Sequence, residues 1–198
     1  MGERGLWEEA ARWLARFHVQ LAPGVGSRRP THLIDHDAGF YRGWMERAGE
    51  FAADDPRAGA AGAIEWLGQR HEQVVEAMLA LPRTLIHGEF YASNVLIADG
   101  PGAARVAPVD WELAAVGPGL TDLAALVSGW PAPDREALVA AYAAEPAVPS
   151  FSRRDLDLAR LQVAVQWLGW APPEWEPPAE KSHDWMAEAV ELAEELGL

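Results

Sequence analysis

The stretch that decides the reading is LIHGEFYASNVLI, residues 85–97. It passes from an apolar pair through a polar cluster and back into an apolar, strand-like run. The cluster places His87, Glu89 and Asn94 at fixed offsets. Two readings compete for it: a turn between two strands in which Asn94 satisfies its own backbone, or a loop that carries chemistry. What lies on either side of the stretch bears on the choice.

Downstream, NVLIA (94–98) and ARVAPVDW (104–111) are short and rich in branched apolar residues, with DGPG (99–102) between them. That pattern predicts a hairpin, which brings Asp110 back beside Asn94. RTLIH (83–87) predicts a strand leading into the cluster. AVGPGLTDLAALVSGW (115–130) reads as a loop that ends in a helix start, with Thr121 and Asp122 both able to act as N-caps.

The rest of the chain reads as helices. Residues 6–21 place Leu6, Ala10, Trp13, Leu14, Phe17 and Leu21 at helical spacing. Glu8 and Glu9 sit in its first turn and can pair with Arg12 and Arg16. A second helix starts near Asp37 and turns Phe40, Tyr41, Trp44, Ala48 and Phe51 inward. A third spans about 60–80 and is closed by Pro82. Further helices are expected at about 134–144, 152–168 and 183–197, with Ser152 and Asp155 resembling a capping box. The expected fold is α+β, mostly helical, with one small central β-hairpin element.

Composition narrows the function classes. The 198 residues carry 49% apolar residues and no cysteine, so disulfides, thiolate metal sites and cysteine nucleophiles are absent. Thirty acids against 16 bases give a net charge of −14. Such a chain is a poor candidate for nucleic-acid binding. Charges interrupt every apolar run, so no membrane span is expected. The N-terminus lacks a signal-peptide pattern, and a cytoplasmic setting is the expectation.

Phosphoryl transfer needs few protein groups: a carboxylate near the acceptor hydroxyl and hard oxygen ligands for magnesium. Glu89, Asn94 and Asp110 form such a set. On residue types alone, Glu89 and Asp110 could also be the paired carboxylates of a hydrolase, although the asparagine offset and the hairpin fit that less well.

HGEFYASN (87–94), VDWE (109–112) and GPGLTDLAAL (117–126) together resemble the aminoglycoside phosphotransferase and choline kinase family, whose catalytic loop has the form H-G-D-x-x-x-x-N. WEEAARWLARFH (7–18) resembles the first helix of that family's C-terminal lobe. The resemblance implies the C-terminal lobe of a protein-kinase-like fold over residues 1–198. It implies Glu89 as the catalytic base, Asn94 and Asp110 as magnesium ligands, and His87 and Asp122 as residues that brace the loop. The co-substrate would be ATP or GTP with Mg2+, and the acceptor the hydroxyl of a small molecule.

Two departures from the family pattern stand out. Glu89 replaces aspartate, which moves the carboxylate outward by about 1.5 Å. The family's N-terminal lobe, with its glycine loop and lysine, precedes the first helix recognised in this chain. The only lysine, Lys181, lies near the C-terminus. The expectation is a lobe completed by an upstream segment or a partner chain; the alternative is a catalytically silent kinase-like domain used for binding.

Residues 174–198 hold eight acids: Glu174, Glu176, Glu180, Asp184, Glu188, Glu191, Glu194 and Glu195. The family's C-terminal helices line its acceptor site, so Asp184, Glu188 and Glu191 are candidates for meeting an amine-bearing acceptor; a solvated helix face is the other reading. Trp167, Trp170, Trp175 and Trp185 cluster there as either core packing or an aromatic cage.

Overall fold

A computed structural model describes residues 4–25, 33–53, 59–98, 105–170 and 183–198. Lys181, Trp175, Glu174, Glu176, Glu180 and the DGPG turn fall outside the described residues. The chain divides into two compact units, interleaved in sequence: Met1–Asp35 with Pro82–Ser152, and His36–Leu81 with Arg153–Leu198. Among the described residues no helix is long and apolar enough to cross a membrane.

The first unit contains helix α1 (Arg4–Val25), β1 (Ile34–Asp35), β2 (Arg83–Ile86), β3 (Val95–Ala98), β4 (Arg105–Pro108), β5 (Ala115–Pro118), α5 (Gly119–Val127) and α6 (Ala132–Ala143). α1 buries Trp7, Ala10, Ala11, Leu14, Ala15 and His18. The buried stripe is rotated from the expected one. Trp13 and Phe17 lie at its margin, where Trp13 stacks on both Phe17 and Phe90. Arg12 pairs with Glu8 and Glu9, but Arg16 reaches Glu145 at 2.8 Å rather than the first turn.

The β structure is larger than the sequence pattern implied. β5 is the centre of a three-stranded sheet of order β1-β5-β2. It runs parallel to β1, with Ile34 opposite Ala115, and antiparallel to β2, with Ile86 opposite Ala115 and Arg83 opposite Pro118. Residues 115–118 are therefore a strand, not part of a loop. Gly117 and Pro118 disguise it, because both are weak strand formers, while all four residues are buried and paired with β2, and Ala115 and Val116 pair with β1 as well. β3 and β4 form the expected hairpin, with Val95 opposite Pro108.

All nine residues of α5 are buried, so it is the central helix of this unit. Its N-cap position is Pro118, which has no side-chain cap, and Thr121 and Asp122 lie inside the first turn rather than at the cap.

The second unit holds α2 (Ala38–Ala53), α3 (Ala60–Gly68), α4 (His71–Ala80), α7 (Arg153–Trp170) and α8 (Trp185–Glu195). Asp37 caps α2 by accepting from the Phe40 amide at 2.8 Å. α2 buries Tyr41, Met45, Ala48 and Ala52 at helical spacing, while Phe40, Trp44 and Phe51 are half-buried. The single helix expected over 60–80 is two, α3 and α4, broken at Gln69 and Arg70. The apolar period survives a break of that length, which is why periodicity alone missed it.

α7 is buried on nearly all sides, and its one charged cluster needs partners. Arg160 donates to Asp157 and Glu188, and His183 bonds the other oxygen of Glu188. Burial alone would raise the Glu188 pKa. The His183 hydrogen bond and the Arg160 charge outweigh it and hold the carboxyl below its ordinary range.

A buried charge whose partner is removed is costly. Arg160→Met is therefore expected to destabilise the protein by about 3–5 kcal/mol in urea denaturation at pH 7. Because the folded Glu188 pKa is depressed, its contribution is present above the unfolded value and is lost as pH falls through the folded one. The deficit of the variant should shrink over that acidic window.

Candidate active site

The site is built in the first unit, where β2 delivers the chain into the loop at 87–94. Ile86 and His87 are fully buried. Gly88 has φ of 89°, and a Cβ there would lie 2.2 Å from the Leu113 carbonyl oxygen. Only glycine fits both the conformation and the contact. Next, Phe90 is fully buried. It stacks on Trp13 at 5.9 Å and meets His87 edge-on. Phe90 is anchored inward, and Glu89, its neighbour, is half-buried.

A 3-10 turn (Ala92–Asn94) then returns the chain to β3. Asn94 Nδ2 donates to the Glu89 carbonyl at 3.1 Å. That bond fixes the amide so that Oδ1 is its acceptor; Ser93 Oγ lies 3.4 Å away from it. The backbone of Val109 grips the loop twice. Its N–H donates to the Asn94 carbonyl at 2.9 Å, and its carbonyl accepts from His87 Nε2 at 2.9 Å. The Glu89 amide donates to His87 Nδ1 at 3.3 Å. His87 thus has both ring nitrogens engaged inside the protein.

Asp110 follows directly on Val109 and takes φ of 66°. A non-glycine residue in the left-handed region carries strain of about 1–3 kcal/mol, and such residues cluster at functional sites. The residues beyond it alternate. Trp111 lies against His87 at 4.5 Å and Phe17 at 5.5 Å but stays exposed, with its Nε1–H donating to the Pro108 carbonyl. Glu112 shares the carboxylate group of Asp110 and Glu89: one oxygen from each of the three lies within 4.8 Å of the others. Burial, then Asp110, then Glu112 push the Glu89 pKa up.

Asp122 sits beneath the loop, fully buried. Its Oδ2 accepts from the His87 amide at 2.7 Å and its Oδ1 from the Gly88 amide at 2.9 Å. Of the residues read from sequence, His87, Glu89, Asn94, Asp110 and Asp122 are therefore brought together. Glu112 was not singled out, although the D-x-E alternation in VDWE places two carboxylates on one side of an extended segment. The C-terminal acids belong to the second unit. Asp184 caps α8 by accepting from the Ala187 amide at 2.9 Å, Glu188 is committed to Arg160 and His183, and Glu191 is exposed. Trp167 stacks on Trp185 at 5.3 Å with an interplanar angle of 7°.

The family model for the phosphotransferase enzyme family matches residues 3–161, and the chain belongs to that family. Among solved structures it is similar to a choline/ethanolamine kinase family protein from Mesorhizobium loti, at 18% identity and a TM-score of 0.59, covering 98% of this chain and 61% of that one. It is also similar to the choline kinase LicA from Streptococcus pneumoniae, at 16% identity and 0.61, covering 98% and 64%. A Plasmodium vivax ethanolamine kinase matches at 10% identity and 0.57, covering 99% and 60%. The chain thus spans about three-fifths of the length of these structures. No curated protein matches.

A carboxyl group whose folded pKa is raised binds its proton more tightly when folded, so its ionisation costs stability as pH rises through that window and at all higher pH. Glu89→Gln should therefore raise the melting temperature at pH 7, and Asp110→Asn should lower the Glu89 pKa in a carboxyl NMR titration. No gain in the first and no shift in the second would contradict the geometry described.

Proposed function

We propose that this protein works in transfer of the γ-phosphoryl group of ATP or GTP to a hydroxyl of a small, amine-bearing molecule, with Mg2+. The observation that carries the reading is the meeting of Glu89, Asp110 and Glu112 within 4.8 Å of one another, in a chain of the phosphotransferase family. Three carboxylates so close repel one another unless a cation or a proton intervenes. Their all-oxygen donor set is the kind that magnesium takes, and Asn94 is tied to the same loop through its bond to the Glu89 carbonyl. Asp110, Asn94 and Glu112 would hold the ion, which when bound neutralises charge on the nucleotide phosphates.

Glu89 acts as the base in this reading. Its desolvated carboxyl, raised in pKa by burial and neighbouring acids, is suited to accept the acceptor's hydroxyl proton. The extra methylene relative to aspartate extends its reach, while Phe90, fully buried behind it, keeps the loop from following. His87 and Asp122 hold the loop backbone and take no part in proton transfer.

Two further points support the reading. Of the five exposed large apolar side chains among the described residues (Leu79, Leu96, Val109, Trp111 and Trp170), three belong to the hairpin or the residues just after it. An apolar surface beside an acidic metal site suits a nucleobase next to its phosphates. LicA has also been solved in complex with AMP. The choline and ethanolamine kinases among the similar structures suggest an amino alcohol or another hydroxylated amine as acceptor. The other contacts to the nucleotide would come from an N-terminal lobe, in an upstream segment or a partner chain.

The test is phosphoryl transfer from ATP or GTP to choline, ethanolamine and aminoglycosides, by the protein with whatever lobe completes it. Glu89→Gln should reduce kcat by about 100-fold to 10,000-fold, and Asp110→Ala should abolish turnover. Retained turnover in Asp110→Ala would overturn the metal assignment. Absence of transfer to every acceptor by the completed protein would point instead to a binding role.

A further inference from the structure

Beneath the loop, Asp122 has a third partner that neither the family match nor the motif explains. His18, on α1, places its Nε2 3.1 Å from Asp122 Oδ2 and its Nδ1 2.8 Å from the hydroxyl of Tyr142, on α6. Asp122 is fully buried, and His18 and Tyr142 are each 4% exposed. The three side chains come from three helices and form one closed line that ends on the amides of His87 and Gly88.

The chemistry of each group sets the direction of that line. Both Asp122 oxygens already accept backbone N–H groups, so the carboxylate is an acceptor toward the imidazole, and His18 Nε2 must carry a proton. A neutral imidazole then has only a lone pair at Nδ1. The Tyr142 hydroxyl meets it as a donor, and burial followed by the charge of Asp122 pushes the Tyr142 pKa up, which keeps the proton on the phenol. With the other tautomer, Nδ1–H would face the phenol and a bare Nε2 lone pair would face the carboxylate, a repulsive contact in a dry site.

The surroundings are shaped for this contact. A Cβ at Gly119, the first residue of α5, would lie 2.8 Å from His18 Nδ1 and 3.2 Å from the Tyr142 oxygen, so glycine leaves the space that the bond occupies. Thr84 Oγ1 donates to the His18 carbonyl at 2.8 Å and ties α1 to β2, the strand that leads into the loop.

We propose that Tyr142 is a positioning residue for the loop at 87–89: its hydroxyl fixes the Nε2–H tautomer of His18 and thereby keeps that imidazole a donor to the carboxylate holding His87 and Gly88. Its importance for a reaction rests on the assignment of Glu89 as the base, because Glu89 is the next residue along the held backbone.

Two measurements test it without any turnover or metal. Nitrogen-15 NMR of the imidazole rings in the wild-type protein should show His18 as the Nε2–H tautomer, with Nδ1 as an acceptor. Amide hydrogen exchange then compares Tyr142→Phe, which removes only the hydroxyl, with Phe151→Leu, which loosens packing against the Tyr142 ring. Tyr142→Phe should speed exchange at His87 and Gly88 by about 10-fold, the scale of one buried hydrogen bond, while Phe151→Leu leaves those two amides near wild type. An Nδ1–H tautomer, or equal effects of the two variants at these amides, would overturn the proposal. Either failure leaves the role of Glu89 untouched, and a failed phosphoryl-transfer assay leaves both readouts as predicted.

Discussion

The buried carboxylate of Asp122 is the constraint on which the site hangs. A charge with no exposure to water is tolerated only when its oxygens are filled by donors, and here the donors are the amides of His87 and Gly88 and the ring of His18. Hydrogen bonds to a charged group contribute about 1.5–3 kcal/mol each, enough to hold a loop that has no regular structure of its own. Since α5 follows immediately on the central strand β5, the position of Asp122 is set by the sheet. The sheet thereby sets the loop.

From that anchor the chain alternates between aromatic side chains and acids. Phe90 goes in beside Glu89, and Trp111, between Asp110 and Glu112, lies exposed against His87. The aromatic side chains lock the backbone, and the acids between them are left crowded together. Acids that raise the pKa of Glu89 work against stability, and a fold keeps such a cluster where function requires it. The left-handed conformation of Asp110 adds strain at the same place.

What could be read from sequence was what is local. His87, Glu89 and Asn94 are within eight residues of one another, and the hairpin that returns Asp110 to Asn94 is signalled by its own alternation and turn residues. The α+β, mostly helical fold was legible for the same reason. The break between α3 and α4 escaped because the apolar period continues across it. β5 escaped because Gly117 and Pro118 look like loop residues, and only pairing with β2 makes them strand. Asp122 read both as a helix cap and, from the resemblance, as a brace of the loop, because a cap and a buried acceptor have the same residue type at nearly the same position. His18 and Tyr142 could not be found at all: they meet across 124 residues of chain, and nothing in either segment names the other.

The central proposal is that Asn94, Asp110 and Glu112 hold a cation beside the base Glu89. The most direct measurement is NMR of the protein during titration with Mn2+, whose paramagnetism broadens nearby resonances. The geometry predicts that the first equivalents broaden signals of residues 89, 94, 110 and 112 together, that Mg2+ restores them, and that Asp110→Asn removes the effect. Broadening centred instead on the acidic surface of α8, or spread evenly over the exposed acids, would contradict it.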